Sequence, residues 1–272
     1  MLLETIKFVF YSILIVVISK YILVAYLRKL AESLSLKPKT IGDIAGAATS
    51  MPELLTITTS SLRGLTGASI YNILSSNVIN LIQYMAAIIL NKNTSKLKNH
   101  AIRIDMILVA ITIVIPIILL RFNIKLDMFI VPFFIICYAL FAYLNSSVHK
   151  VYLKTTQEEK NRKKEKTNKK NTIKYILVLL LTGVLLYVVG EQLGNTLENL
   201  CNIFNVPQFI VGILLGFITS IPELITFFES QKYNKEAEDE MTGVIEATNN
   251  LLTSNILNLF VIQTIGIVLV NI

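Results

Sequence analysis

The feature that most constrains this chain is an eight-residue stretch that occurs twice with little change. Residues 49–56 read Thr-Ser-Met-Pro-Glu-Leu-Leu-Thr and residues 219–226 read Thr-Ser-Ile-Pro-Glu-Leu-Ile-Thr, so that six of the eight positions are identical. A second matching pair follows each copy, with Ser-Ser-Asn-Val-Ile-Asn-Leu at 75–81 and Thr-Ser-Asn-Ile-Leu-Asn-Leu at 253–259. A duplication of this kind predicts two halves that are built on one structural plan.

The composition places both halves in a membrane. Of the 272 residues, 54% are hydrophobic and 16% are charged, whereas a soluble domain has about 25% charged residues. Apolar runs at 8–26, 106–120, 128–144 and 175–189 approach the roughly 20 residues that a spanning helix needs. A transmembrane β-barrel would instead show short alternating segments. We therefore predict an all-α integral membrane protein.

We predict eight transmembrane helices, which we call spans 1 to 8, separated mostly by short loops. They cover about 5–27, 40–62, 67–91, 101–122, 126–148, 173–200, 206–230 and 242–271. Residues 149–172 contain nine lysines and arginines and almost no apolar residue, which is typical of a solvated linker. This linker divides the chain into a first half at 1–148, with its motifs at 46–80, and a second half at 173–272, with its motifs at 216–258.

The position of the motifs predicts an inverted repeat. The first copies lie on spans 2 and 3 and the second copies on spans 7 and 8. An offset of five spans is odd, so the second half is upside down in the bilayer relative to the first. Inverted repeats are the construction expected of alternating-access transporters.

Lysine and arginine are concentrated in the loops after spans 1, 3 and 5, and such residues are retained on the cytoplasmic side. The linker is therefore predicted to be cytoplasmic and both termini non-cytoplasmic, while the choice between plasma membrane and organelle membrane stays open. The net charge of +7 is explained by this topology, and we predict no nucleic-acid partner. Membrane lipid is the expected surrounding, and a homo-oligomer is left open.

Two glutamates, Glu53 and Glu223, lie inside hydrophobic spans at equivalent positions of the repeat. A carboxylate inside a bilayer is expensive, so an acid there indicates a functional site. Each glutamate could also be a protonated packing residue or a structural hydrogen-bond donor. The same acid in both copies favours function over packing.

Other oxygen-bearing side chains repeat around these acids. Those that share a helix face through i, i+3 or i, i+4 spacing are Thr49, Ser50, Thr219 and Ser220, the pair Ser76 and Asn80, and the pair Ser254 and Asn258. Pro52 and Pro222 lack the N–H that would bond the carbonyls of Ala48 and Ile218, so they are expected to kink the preceding turn and to free these carbonyls for a cation. Gly46 and Gly216 allow a neighbouring helix to approach closely. Oxygen ligands of these kinds suit hard cations such as calcium or sodium.

These motifs resemble the two α-repeats of the calcium/cation antiporter superfamily, and specifically of sodium/calcium exchangers. The family signature is Gly-Thr-Ser-x-Pro-Glu on one helix and Gly-Ser-Asn-x-x-Asn/Asp on the next, and the resemblance covers spans 1 to 3 and 6 to 8. It implies that Glu53 and Glu223 bind calcium and share their oxygens with sodium sites. The further ligands that it implies are Thr49, Ser50, Thr219 and Ser220 with the carbonyls of Gly46 and Gly216 for sodium, and Ser76, Asn80, Ser254 and Asn258 to close the site.

The chain departs from the family pattern at several positions. Ala48 and Ile218 replace the signature glycine, Ser75 and Thr253 replace the first glycine of the second motif, and Asn258 stands where many exchangers have aspartate. With two carboxylates, one calcium ion would be neutralised in full, and the number of sodium ions stays open. The family usually has ten spans, so the second half is expected to lack two scaffold helices.

The resemblance predicts a secondary antiporter that exchanges sodium for calcium by alternating access. Two alternatives stay open. One is a proton-coupled or other-cation exchanger that uses the same glutamates, and the other is a non-transporting membrane subunit or ion-binding relative. We expect neither enzymatic activity nor a cofactor, and the transported ions would be calcium and sodium.

Overall fold

The structure is a computed structural model. The described residues are 2–34, 36–51, 53–54, 57–58, 66–122, 124, 126–155, 169–204, 208–236 and 240–271. Every regular element within these ranges is helical. The predicted all-α class is confirmed.

The first span is one long helix with a wider turn in its middle. Helix α1 (Leu2–Val17) passes through a π-helical segment at Ile18–Val24 into α2 (Ala25–Leu34). This span runs about two turns past its predicted end at residue 27, because Leu30 and Ala31 are buried in the core. π-Helical turns inside α-helices are frequently found at functional sites.

The remaining helices of the first half follow with short connections. They are α3 (Pro38–Thr49), α4 (Thr66–Leu90), α5 (His100–Arg121) and α6 (Val131–Thr155), with a 3₁₀ turn at Thr94–Lys98 before α5. Helix α3 begins at Pro38. The N–H of the first residue of a helix has no partner within the helix, and proline has no N–H, so no donor is left unsatisfied. The side chain of Asn99 caps α5 by accepting the N–H of Ala101 at 3.0 Å.

The second half contains the same kinds of helices. They are α7 (Lys169–Ile203), α8 (Gln208–Thr219), α9 (Ile221–Glu236), α10 (Glu240–Ile256) and α11 (Gln263–Asn271), with a π-helical segment at Leu257–Ile262 between α10 and α11. The basic linker is helical at both ends, up to Thr155 and again from Lys169, because lysine and leucine are good helix formers and extend the neighbouring helices. Its middle, residues 156–168, lies outside the described residues.

Two spans that were predicted as single helices are interrupted. The span predicted at 206–230 is two helices that meet at Ser220, and the span predicted at 40–62 has a break after Thr49. In the second copy the break precedes Pro222, which has no N–H for the preceding turn. In the first copy Pro52 and the predicted end of the span at 59–62 lie outside the described residues.

The outer surface of the helices is apolar. Within the described chain, five helical stretches are long and apolar enough to cross a membrane: Leu2–Ala31, Tyr71–Leu90, His100–Arg121, Asn171–Thr196 and Met241–Leu269. A shorter apolar helix lies at Val131–Ser147. Leu180 and Leu181 on α7 are more than half exposed, as expected of side chains that face lipid tails. The chain is a multi-pass integral membrane protein.

The buried apolar residues form two separate clusters. The helix-1 cluster joins α1, α2 and α7 and includes Ile15, Leu27 and Leu186. The central cluster joins α4 to α6 with α9 to α11 and includes Tyr84 and Phe260. Helix α3 adds buried residues to the helix-1 cluster but packs chiefly against α10. The first span and α7 therefore form one body beside a larger central body.

A buried ion pair links the two bodies. Arg28 on α2 contacts both carboxylate oxygens of Glu246 on α10, at 2.6 and 2.8 Å. Both residues are at most 9% exposed. A second pair, Lys20 and Glu229 at 3.6 Å, joins the π-helical segment to α9 at the surface. Only the first pair is shielded from solvent.

Removing one partner of the buried pair is expected to destabilise the protein. Glu246→Ala should lower the free energy of unfolding by about 3–5 kcal/mol, because the Arg28 charge stays buried without its partner. Thermal unfolding of the purified protein in detergent measures this change. Lys7→Gln, which breaks an exposed pair with Glu4, is the control and should leave the melting temperature unchanged. Equal melting temperatures for Glu246→Ala and the wild type would contradict the buried pair.

Candidate cation site

Both copies of the first motif end a helix in the same way. The N–H of Ser50 donates to the carbonyl of Gly46 at 3.1 Å, and the N–H of Ser220 donates to the carbonyl of Gly216 at 3.2 Å. The helix resumes at once, because Leu54 bonds back to Ser50 at 3.1 Å and Leu224 bonds back to Ser220 at 3.2 Å. Each break lies at a threonine and a serine, four and three residues before the glutamate.

The first motif of each half packs on the second motif of the other half. A Cβ added to Gly46 on α3 would lie 2.7 Å from the Asn250 carbonyl oxygen on α10 and 3.0 Å from the Ser254 nitrogen. A Cβ added to Gly216 on α8 would meet the side chain of Ser75 on α4. Small residues let helix backbones approach closely inside a membrane. The two glycines therefore bring the polar motifs of opposite halves together.

The two glutamates meet inside this arrangement. Glu53 and Glu223 are both 0% exposed, and they are close enough for their charges to interact directly. The hydroxyls of Thr219 and Ser220 lie near the Glu53 carboxylate, and the hydroxyl of Thr49 lies near Glu223. Each acid therefore faces hydroxyls supplied by the other half.

Serine hydroxyls connect the two halves across the site. Ser254 donates to the Glu223 carboxylate at 3.0 Å, and Ser50 lies 2.8 Å from Ser254. Ser50 also lies 2.8 Å from the carbonyl of Gly46. Since a hydroxyl has one proton, Ser50 can serve only one of these two acceptors at a time.

Four asparagines form a second set of contacts between the halves. Asn80 donates to the side-chain oxygen of Asn255 at 3.2 Å, and Asn258 donates to the side-chain oxygen of Asn77 at 3.3 Å. All four side chains are 0% exposed. We call these residues the asparagine clamp.

The site contains buried oxygens that have no hydrogen-bond partner within the described part of the chain. They are both carboxylate oxygens of Glu53, one of Glu223, the hydroxyls of Ser76 and Ser220, and the side-chain oxygens of Asn80 and Asn258. Burying an unsatisfied polar oxygen is costly, and a buried carboxylate pair is more so. Oxygens of these kinds are the ligands that hard cations prefer. Among the described residues, no cluster of three or more His, Cys, Asp or Glu residues is present, so most ligands of such an ion would be neutral.

Comparison with known proteins identifies the family. The model of the family described as "Sodium/calcium exchanger protein" matches residues 5–146 and 174–271, which is most of the chain. The chain belongs to the sodium/calcium exchanger family. No curated protein sequence matches it. As a member of this family, the chain is a membrane cation exchanger.

Solved structures of the family share the fold. The sodium-calcium exchanger NCX_Mj soaked with 100 mM Na⁺ and 10 mM Sr²⁺ is 20% identical, with a TM-score of 0.63, and the match covers 99% of this chain and 83% of that one. The same exchanger soaked with 10 mM Na⁺ and no Ca²⁺ is 21% identical, with a TM-score of 0.61 and coverages of 99% and 84%. The H⁺/Ca²⁺ exchanger CAX is 15% identical, with a TM-score of 0.65 and coverages of 97% and 69%. The predicted antiporter architecture is confirmed.

The predicted ligand side chains are all buried, while the two predicted ligand carbonyls are already hydrogen-bonded. All ten of the predicted ligand side chains are buried in the core; they are Glu53, Glu223, Thr49, Ser50, Thr219, Ser220, Ser76, Asn80, Ser254 and Asn258. The carbonyls of Gly46 and Gly216, however, already accept bonds from the serine N–H groups and from threonine hydroxyls at 3.3 Å. Their role as sodium ligands stays a prediction, because an ion would have to compete with these bonds.

Sequence reasoning missed two residues of the site, Asn77 and Asn255. Both stand at the same position of the second motif, three residues before the predicted ligands Asn80 and Asn258. Their repetition was a usable signal, because a duplicated buried amide is as unusual as a duplicated buried acid. Their partners could not be predicted, since these bonds depend on how the two halves meet.

Close packing at Gly46 is expected to be necessary for the site. Gly46→Ala should force α3 away from α10 and destabilise the protein by about 1–3 kcal/mol, with weaker calcium binding. Gly183→Ala is the matched control, because its added Cβ would meet only the Met51 side chain at 3.7 Å. Melting temperatures with and without calcium measure both effects. Equal melting temperatures of the two variants would contradict close packing of α3 against α10 at Gly46.

Proposed function

We propose that the chain is a secondary antiporter that exchanges sodium for calcium at a single site shared by the two halves. The observation that supports this proposal most strongly is the buried pair Glu53 and Glu223, each of which has hydroxyls of the opposite half near it. Two carboxylates match the charge of one calcium ion or of two sodium ions. The competition of these ions for one charge pair would couple their movements.

The ligands we propose for calcium are Glu53 and Glu223 with the side-chain oxygens of Asn80 and Asn258. For sodium we propose the same acids with the hydroxyls near them, Thr49, Ser50, Ser76, Thr219, Ser220 and Ser254. Neutral oxygens at these positions can replace the water molecules around a cation without adding charge. Positively charged loops favour an orientation with the linker in the cytoplasm and both termini outside.

A second candidate is proton-coupled calcium exchange. It is favoured by the similarity of the fold to the H⁺/Ca²⁺ exchanger CAX and by the mutual repulsion of the two buried acids, since such a pair can bind protons in place of metal ions. The two candidates differ in the gradient that drives calcium movement.

Calcium uptake into proteoliposomes tests the proposal. Vesicles loaded with sodium should accumulate calcium, whereas vesicles with only a pH gradient should not. Glu53→Gln and Glu223→Gln should each reduce uptake to background, because calcium would then face a single carboxylate in a medium that shields charge poorly. The matched control is Glu229→Gln on α9, whose side chain pairs with Lys20 at the surface.

Three results would contradict parts of the proposal. Uptake driven by the pH gradient alone would favour the proton-coupled candidate. Calcium binding without uptake would indicate a non-transporting relative. Normal uptake by both glutamine variants would exclude the proposed site.

The charge of the site predicts an electroneutral exchange. Its asparagines are neutral, and the further buried glutamate of α10, Glu246, is paired with Arg28. A site with two carboxylates is neutral with one calcium or with two sodium ions, and a charged site would be expensive to move through a bilayer.

Sodium-driven uptake should therefore be insensitive to membrane potential. The measurement sets the potential with valinomycin and potassium gradients and follows the initial rate of calcium uptake. Asn258→Asp adds a third acid and should make the rate depend on potential. A steep voltage dependence of the wild-type protein would contradict the two-carboxylate charge count.

A further inference from the structure

The asparagine clamp joins the two halves through bonds that cross. The ligand asparagine of the second half, Asn258, donates to Asn77 of the first half, and the ligand asparagine of the first half, Asn80, donates to Asn255 of the second. The clamp therefore has the same inverted symmetry as the two glutamates. Each half anchors the proposed ligand of the other.

The backbone fixes the anchoring residues themselves. The amide nitrogen of Asn77 donates to the carbonyl oxygens of Asn255 at 3.3 Å and of Thr112 at 3.4 Å. The amide nitrogen of Asn255 donates to the carbonyl oxygen of Asn77 at 3.2 Å. An asparagine amide has two N–H donors on one arm and an oxygen acceptor on the other. Because its nitrogen is held by carbonyls, Asn77 can present only its oxygen to Asn258.

The anchors fix the direction of the ligand oxygens in turn. A bond from the nitrogen of Asn80 or Asn258 leaves the oxygen of the same amide on the opposite arm. Both of these oxygens are buried and have no hydrogen-bond partner among the residues that the structure describes. Without an anchor, either amide could rotate and turn its N–H group toward a bound cation, where it would be repelled.

We propose that Asn77 and Asn255 are positioning residues of the ion site, which hold the amide oxygens of Asn258 and Asn80 toward the cation. This inference rests on the proposed function and deepens it, because it identifies what orients two of the ligands. Loss of a residue that orients a metal ligand lowers metal affinity by about 10–100-fold. We expect a loss in this range for Asn77→Ala and for Asn255→Ala.

Double-mutant cycles distinguish positioning from a structural role. The dissociation constant for calcium is measured by isothermal titration calorimetry on the full chain in detergent. Because Asn77 acts through Asn258, the double variant Asn77→Ala/Asn258→Ala should bind calcium no more weakly than Asn258→Ala alone. The pair Asn255 and Asn80 should behave in the same way. The uncrossed pairs, Asn77 with Asn80 and Asn255 with Asn258, should instead show losses close to additive, because in each pair the two residues act on different ligand oxygens.

Buried asparagines elsewhere supply the control. Asn145 on α6 is 5% exposed and lies outside the clamp, and Asn145→Ala should leave calcium affinity unchanged. If alanine at residue 77 or 255 does not give a folded protein, serine at the same position also removes the amide and takes its place.

The possible outcomes distinguish failure of the positioning role from failure of the proposed calcium site. Additive losses in the crossed pairs, or unchanged affinity in Asn77→Ala and Asn255→Ala, would overturn the clamp while the calcium site stands. Absence of calcium binding by the wild-type protein would overturn the proposed function and the clamp together. Non-additive crossed pairs with additive uncrossed pairs would establish the positioning role.

Discussion

The structure is organised around two carboxylates that must share one buried point. Like charges placed together in a bilayer repel each other, and they are tolerated only where a ligand or a proton neutralises them. The surroundings of Glu53 and Glu223 keep them together in spite of this repulsion. Glycines bring α3 against α10 and α8 against α4, and hydroxyls from the opposite half lie beside each acid.

Much of this site could be predicted from the sequence. The repeat identified the acids, and helical spacing placed Ser76 with Asn80 and Ser254 with Asn258 on common faces. Contacts between the halves could not be predicted in the same way. The crossed bonds of Asn77 and Asn255, like the pair of Arg28 and Glu246, join residues more than 170 positions apart, and a helical pattern holds no information on such distant partners. A kink in the turn before Pro222 could be predicted from the proline, whereas the complete break at Ser220 could not, because an apolar run does not show whether its helix is continuous.

The symmetry of the site is not shared by its surroundings. The glutamates, glycines and asparagines all have counterparts in the other half, whereas Glu246 aligns with Ala68 when the second motifs are superimposed. The π-helical segment at Leu257–Ile262, which contains Asn258, has as its counterpart the regular helix around Asn80. The two halves therefore share the residues of the site but differ in the helix geometry and the charged residues around it.

The position of a bound ion tests the central claim most directly. Crystals of the protein soaked in calcium, with anomalous diffraction data collected at a long wavelength, will show where the ion lies. One anomalous peak within about 2.3–2.6 Å of carboxylate oxygens from both Glu53 and Glu223 is expected for calcium bound by oxygen ligands. A peak that contacts only one of these glutamates, or that lies outside the four motifs, would contradict a site shared by the two halves.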